Sequence, residues 1–356
     1  MTTSQFKKSG RGALAAASVI AAASTPSAQA DQEQFLADIK SGDPQKQLAA
    51  WKIADKQEPG VIAPLAKLLD SDDMSVQKTA AQSLMEIVHS VGKEKESAAR
   101  KAVTNHLLNL LKEDSTVIQT FALRALSLTA NADSIPYIAP YMSREDLREE
   151  AVFCLERIPD AEADKALINA LEKAPEDFKP RIIAALGHRK TEEAAPVIEE
   201  YMQSSNLDLA MAAVKAIGRI GVMPETDPPE FDSLNYRQKK ILIDSALRFC
   251  DAQIQKGKLE FPGRMLVGLL NNDDEEIEEH YICAAIISAS KMDFPEAAAS
   301  IIKQLNRPLY IVRDTAKKTL IAMEGNSVEP ALKEALNNAG EETKKTLQEI
   351  LEKRKA

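Results

Sequence analysis

Four histidines, three cysteines and one acidic run are the residues from which catalytic or metal chemistry would have to be built in this sequence. Metal-assisted hydrolysis on a helix needs His-Glu-x-x-His, so that two imidazoles one turn apart reach the same ion. His89, His106, His188 and His280 are scattered, and none forms that pattern. His280 follows Glu278 and Glu279, but no second pairing of His with Glu accompanies it. Cys154, Cys250 and Cys283 stand in the strings FCL, FCD and ICA with no Cys-x-x-Cys, which excludes thioredoxin-like redox chemistry and covalent haem. They read as small apolar filler, with a Cys250–Cys283 disulfide as the alternative in an oxidising compartment. The run Asn271-Asn272-Asp273-Asp274-Glu275-Glu276 lacks the spacing and the glycine of a calcium loop and reads as the acidic start of a helix. No catalytic residue, metal site or cofactor is expected. What remains is basic: Arg124, Arg157, His188, Lys215, Arg219 and Arg248, whose meaning depends on the elements that carry them.

Those elements come from a repeated frame. Three small or apolar residues spaced by four recur at Gln45/Ala49/Ile53, Val76/Ala80/Leu84, Ile118/Ala122/Leu126, Leu147/Ala151/Leu155 and Phe178/Ile182/Leu186. They continue at Leu209/Ala213/Ile217, Leu242/Ala246/Cys250, Ile277/Tyr281/Ala285, Val312/Ala316/Leu320 and Thr343/Leu347/Leu351. Spacing by four keeps side chains on one stripe of a helix, and a period mostly near 31 residues is that of a solenoid. A first helix precedes each frame: Val61–Asp70, Glu193–Met202 and Val328–Asn338 are examples, with Pro64, Pro136, Pro196 and Pro330 near their starts, where a missing N–H costs little. Ser71-Asp72-Asp73 supplies a cap for the helix after it. Aromatic residues are 4% of the chain and hydrophobic residues 44%, so Ala, Leu, Ile and Val fill the core and the fold class is all-α. Relative to the first frame position, offsets 6 and 10 lie about 240° and 280° round the helix, away from the core. In the third to seventh units these ten slots hold five Arg or Lys, one His and no acid, against about one basic residue in ten expected from composition.

Two stretches interrupt the period. Val91-Gly92-Lys93-Glu94-Lys95-Glu96-Ser97 reads as a charged loop or helix extension. Residues 222–235, with Pro224, Pro228, Pro229, Glu225, Asp227, Glu230 and Asp232, read as a Pro- and acid-rich insertion in which no helix survives.

The segments AAVKAIGRIG (Ala212–Gly221), VQKTAAQSLMEI (Val76–Ile87), IVRDTAKKTLIAM (Ile311–Met323) and VEPALKEAL (Val328–Leu336) resemble HEAT repeats, in particular the shorter HEAT-like repeats of phycobilin lyases. The resemblance runs from Asp31 to the last residue. It implies an armadillo-like α-solenoid, a right-handed superhelix of about ten HEAT-like helix pairs, whose second helices line a concave surface. On that surface the six basic residues would form a binding stripe for a protein, an acidic peptide or a polyanionic glycan. The resemblance therefore implies a noncatalytic binding scaffold, with a HEAT-like lyase-type enzyme or enzyme accessory as the alternative.

The first thirty residues carry a different signal. Lys7, Lys8 and Arg11 precede an apolar run from Ala13 to Ala23, and Ala28-Gln29-Ala30 comes after it, the order of a secretory signal peptide cleaved before Asp31. The expected product is a periplasmic or extracellular bacterial protein spanning 31–356. The formal charge of −9 becomes −12 without those three cations, and such acidity disfavours nonspecific binding to nucleic acid or to an anionic membrane.

Overall fold

The computed structural model describes residues 26–92, 97–272 and 277–355, and all regular structure among them is helical. The helices fall into two compact units, Met1–Ile87 and Val88–Ala356. Residues 1–25 of the expected leader lie outside the described residues, as do 93–96 of the charged stretch and 273–276 of the acidic run.

The first unit contains α1 (Pro26–Lys40), α2 (Pro44–Trp51), α3 (Ile62–Ala66) and the greater part of α4 (Met74–Gly92), in which the boundary falls. α1 runs across the expected Ala30/Asp31 junction. The starts of α2 and α4 are capped: Asp43 accepts a 2.8 Å bond from the Gln45 N–H, and Asp73 one of 2.8 Å from the Ser75 N–H. α3 is short and flanked by 3-10 turns, Pro59–Val61 and Lys67–Asp70. The frame expected at Gln45, Ala49 and Ile53 faces solvent, whereas Gln47, Ala50 and Ala54 are buried. A recurring side-chain link gives the reason. The Gln47 amide donates to the Ile39 carbonyl at 3.0 Å, as Gln77 does to Leu69 at 2.7 Å and Gln119 to Leu111 at 3.0 Å. Gln77 and Gln119 directly follow the frame residues Val76 and Ile118, so the first frame is Lys46/Ala50/Ala54, one residue later than expected.

The second unit stacks helix pairs: α5 (Ala98–Leu110) with α6 (Thr116–Thr129), α7 (Ile135–Ile138) with α8 (Arg148–Arg157), α9 (Ala161–Lys173) with α10 (Lys179–Arg189), and α11 (Ala195–Glu199) with α12 (Leu207–Ile220). After α13 (Tyr236–Gln255) come α14 (Glu260–Leu270) with α15 (Glu279–Ala289), α16 (Pro295–Lys303) with α17 (Tyr310–Ala322), and α18 (Val328–Asn338) with α19 (Glu341–Lys353). The second helices pack in sequence, α6 on α8, α10, α12, α13, α15, α17 and α19, and the frames at 118, 147, 178, 209, 277 and 312 are buried on their inner side. In the last pair Leu347 and Ile350 carry the core, while Thr343 and Leu351 are half-buried.

The expected ten pairs become nine pairs and one lone helix among the described residues. α13 has no first helix, because residues 222–235 replace it rather than interrupt it, with only the 3-10 turn Phe231–Ser233 as regular structure. Three prolines and four acids leave that stretch too few N–H donors and too little apolar surface to make a packed helix. As a result Leu242 and Ala246, expected in the core, are only half-buried and line an apolar groove of about 240 Å³ with Phe231 and Leu269. The three cysteines are unpaired. Burial, with the Asp251 carboxylate adding to it, pushes the Cys250 thiol up to about 12, so it acts as packing rather than as a nucleophile.

Glycines bring α10, α12 and α13 unusually close. A Cβ at Gly187 would lie 2.8 Å from the Ala216 Cα, and one at Gly218 would lie 2.5 Å from the Ser245 carbonyl oxygen and 2.9 Å from its Cα. Both obstacles are backbone and cannot rotate away. Gly218→Ala is therefore expected to destabilise by about 1–3 kcal/mol through overpacking, although helix propensity alone would make it favourable by about 1 kcal/mol. Urea denaturation reads the sign directly, and a stabilised variant would contradict the close approach.

Candidate functional site

All six expected site residues project from second helices of the second unit, but they do not form one uniform basic stripe. At the α6–α10 end acids from neighbouring helices neutralise them. Arg124 pairs with Glu150 at 2.5 Å, and the His188 Nδ1 lies 2.8 Å from Glu156. Arg181, which frame counting missed because it sits three residues past Phe178, reaches Glu149 at 3.2 Å and Glu156 at 3.0 Å. Arg157 lies over the Phe153 ring at 5.6 Å and donates to the Ser127 carbonyl at 3.3 Å. Arg124, Arg157 and Arg181 thus line a groove of about 570 Å³ together with Glu149 and Glu150, and Glu156, bonded to Arg181, offsets further charge beside it.

The balance fails at α12 and α13. Lys215 and Arg219 occupy adjacent turns of α12, and neither makes a hydrogen bond or ion pair with any described residue. The Arg219 guanidinium is half-buried. Burial first, then the neighbouring Arg248 charge, lowers its pKa, with Asp244 and Glu156 opposing. An anion bound here would offset the repulsion from Arg248. Arg248 is held by Asp244 one turn earlier at 2.8 Å. Beside them a groove of about 380 Å³ is lined by Lys215, Tyr236, Arg237, Lys240, Asp244 and Tyr281. Lys240 pairs with Glu278 at 2.6 Å and lies 4.9 Å from the Tyr236 ring centroid, while Tyr236 also donates to Glu278. The Lys240 hydrogen bond, then that of Tyr236, holds Glu278 below the usual carboxylate range, so Glu278 is charged and neutralises Lys240. Arg237 has no such partner among the described residues. Five cations, Lys215, Arg219, Arg237, Lys240 and Arg248, therefore face Asp244 and Glu278 at this end, with Glu156 also acting on Arg219.

Sequence reasoning found Lys215, Arg219 and Arg248 and missed Arg237, Lys240 and the two tyrosines. The string Tyr236-Arg237-Gln238-Lys239-Lys240 was visible, but it precedes the frame at Leu242 and belongs to the extra turns of α13, a helix of 20 residues. Tight packing of α12 against α13 through Gly218 then sets the spacing between the Lys215/Arg219 pair and Arg248.

A third missed arginine has a structural task. Arg189, at the end of α10, donates to the carbonyls of Leu155, Glu156, Ile158 and Asp160 at the end of α8 and the turn after it, and bidentately to Asp164 at 2.6 and 3.0 Å. It adds a charged donor to carbonyls at the helix end and in the turn after it, three of which, Leu155, Ile158 and Asp160, also accept a backbone N–H. Arg354 does the same for Leu320, Ile321 and Met323, and Gln253 bonds Gly221 at 2.6 Å. All three stand 11 residues past their first frame positions, so the same place in three of the units carries a clamp.

Helix pairs at this period, inner frames and clamps between successive units agree with the comparison to known families: residues 165–234 match the model of HEAT repeats. That stretch carries HEAT repeats. The matched HEAT repeats include His188, Lys215 and Arg219. No curated protein matches the sequence significantly. Among solved structures, Kap95p in complex with Nup1 is similar over 92% of this chain and 52% of that chain, at 14% identity and a TM-score of 0.51. Kap95p bound to RanGDP is similar over 90% and 50%, at 14% identity and a TM-score of 0.50. The chain thus spans about half the length of these HEAT-repeat structures. The CpcE–CpcF phycocyanin lyase of Nostoc sp. PCC7120 is similar over 77% of this chain and 92% of that chain, at 19% identity and a TM-score of 0.32.

Proposed function

We propose that this protein is an exported, noncatalytic HEAT-repeat scaffold that binds an acidic protein segment on the face formed by its second helices, the concave face of such arrays. The observation that carries this reading is the excess of positive charge at α12 and α13, where Lys215, Arg219 and Arg237 make no direct ion pair or hydrogen bond with any described residue, and Asp244 and Glu156 act on Arg219 only through space. Guanidinium groups grip carboxylates bidentately, and Lys215 and Arg219, one turn apart, can hold one anionic group together. The same fold holds protein partners in the Kap95p complexes, which supports a binding role over a catalytic one.

A fluorescein-labelled octaglutamate peptide tests the site. Binding should weaken as salt rises. The double variant K215A/R219A should lose about tenfold in affinity, whereas K46A/K67A, which removes the same charge from exposed lysines of the first unit, should lose less than about twofold. Equal losses would reduce the site to the field of the whole protein, and absence of octaglutamate binding would refute it. Export has its own measurement: the secreted protein should have the intact mass of a chain beginning at Asp31, and a cytosolic protein retaining Met1–Ala30 would refute that part.

A further inference from the structure

The stripe positions continue past the cationic groove onto the next helices, where they turn apolar. On α15 the slots equivalent to Lys215 and Arg219 of α12 are Cys283 and Ile287. Ile287 is 51% exposed, and at the start of the adjacent α17 Tyr310 and Ile311 are 69% and 57% exposed. The Cys283 Sγ lies 4.0 Å from the Ile311 carbonyl oxygen, so the start of α17 packs against α15 one turn from Ile287. Tyr281, on α15 as well, lines the cationic groove, so the groove and the apolar surface share a wall. Two acids border these residues, and both are occupied: Asp251 at the end of α13 by Ser288 at 2.9 Å and Lys291 at 2.8 Å, and Asp314 of α17 by the Tyr310 hydroxyl at 3.5 Å and Lys318 at 2.8 Å. Large hydrophobic side chains exposed side by side next to a charged rim are the usual composition of a binding surface.

We infer that the segment bound by this protein is bipartite: a run of carboxylates that sits at α12–α13, joined to bulky aliphatic or aromatic residues that cover Ile287, Tyr310 and Ile311. This deepens the acidic-segment reading above and rests on it. Charge complementarity fixes the first part and the exposed apolar side chains the second. Packed helices lie about 8–10 Å apart, so one or two helix spacings separate the parts. An extended chain advances about 3.3 Å per residue, and the anchor is therefore joined to the acidic run by roughly three to six residues.

Three labelled peptides decide it: octaglutamate alone, octaglutamate joined through a four-residue Gly-Ser spacer to Leu-Phe-Leu, and the same parts in reverse order. One of the two bipartite peptides should bind about tenfold more tightly than octaglutamate. Y310S/I311S, whose side chains are exposed and whose circular dichroism and Tm should stay unchanged, should abolish that gain and leave octaglutamate binding intact. K215A/R219A should weaken all three. Octaglutamate binding with no gain from either bipartite peptide would overturn the inference and leave the acidic-segment reading standing, whereas failure of all three to bind removes both. A dimer in sedimentation that Y310S/I311S dissociates would assign the apolar surface to a second copy of this chain and would likewise overturn it.

Discussion

Arg189→Ala is expected to lower the unfolding free energy by about 3–5 kcal/mol, the cost of breaking a buried ion pair by removing one partner. The Arg189 side chain is 9% exposed, and its loss removes both guanidinium hydrogen bonds from the Asp164 carboxylate, leaving it Thr191, and one from each of four carbonyls around the end of α8. Urea denaturation measures the effect. Arg189→Lys should recover only a fraction, because a single ammonium cannot serve the carboxylate fork and the carbonyls at once. The pair also has a pH signature. Burial raises the Asp164 pKa, but hydrogen bonds from Arg189 and Thr191 outweigh it and leave the carboxyl below its ordinary value of 3.8. A carboxylate whose folded pKa is depressed contributes stability that is present above the unfolded value and is lost as pH falls through the folded one. Stability should therefore fall below about pH 4 in the native protein, and part of that fall should be missing in Asp164→Asn.

Leu186→Ala is expected to cost about 2–5 kcal/mol, as deletion of a fully buried leucine side chain does. Leu186 is the third frame residue of α10 and is fully buried, and α10 lies between α8 and α12 in the row of second helices. In a linear array each unit is supported by its neighbours, so the loss should also broaden the transition by uncoupling the units on either side. Leu207→Ala, at a position 42% exposed, should cost under about 1 kcal/mol. Comparable costs at the two positions in chemical denaturation would contradict the assignment of the frame.

The frame was legible where helix-on-helix packing alone decides burial. Val312, Ala316 and Leu320, like Ile118, Ala122 and Leu126, satisfy a rule that depends only on the 3.6-residue turn. It slipped by one residue at Gln45, where a glutamine bonded to a carbonyl eight residues earlier takes a buried position that hydrophobicity would not give it. The missing first helix of α13 was half legible: the prolines of 222–235 excluded a helix, but nothing local said that a helix was owed there. The six site residues were legible as positions on a helix face. Their charge balance was not, because Glu150 and Glu156 compensate Arg124, Arg181 and His188 only across neighbouring helices, about 25 to 32 residues away in the chain.

The absent helix before α13 also leaves that place in the array held differently on its two sides. Between α11 and α14 no first helix is packed, and the segment in its place is tied to α11 and the turn after it by Glu199 accepting from the Glu225 N–H at 2.9 Å and by Gln203 donating to the Asp227 carbonyl at 2.6 Å. Opposite, α12 and α13 are locked backbone to backbone at Gly218. The close approach at Gly218 thus fixes the spacing of Lys215 and Arg219 on α12 from Arg248 on α13, whereas on the other side a segment held through Glu199 and Gln203 stands where a packed helix would be.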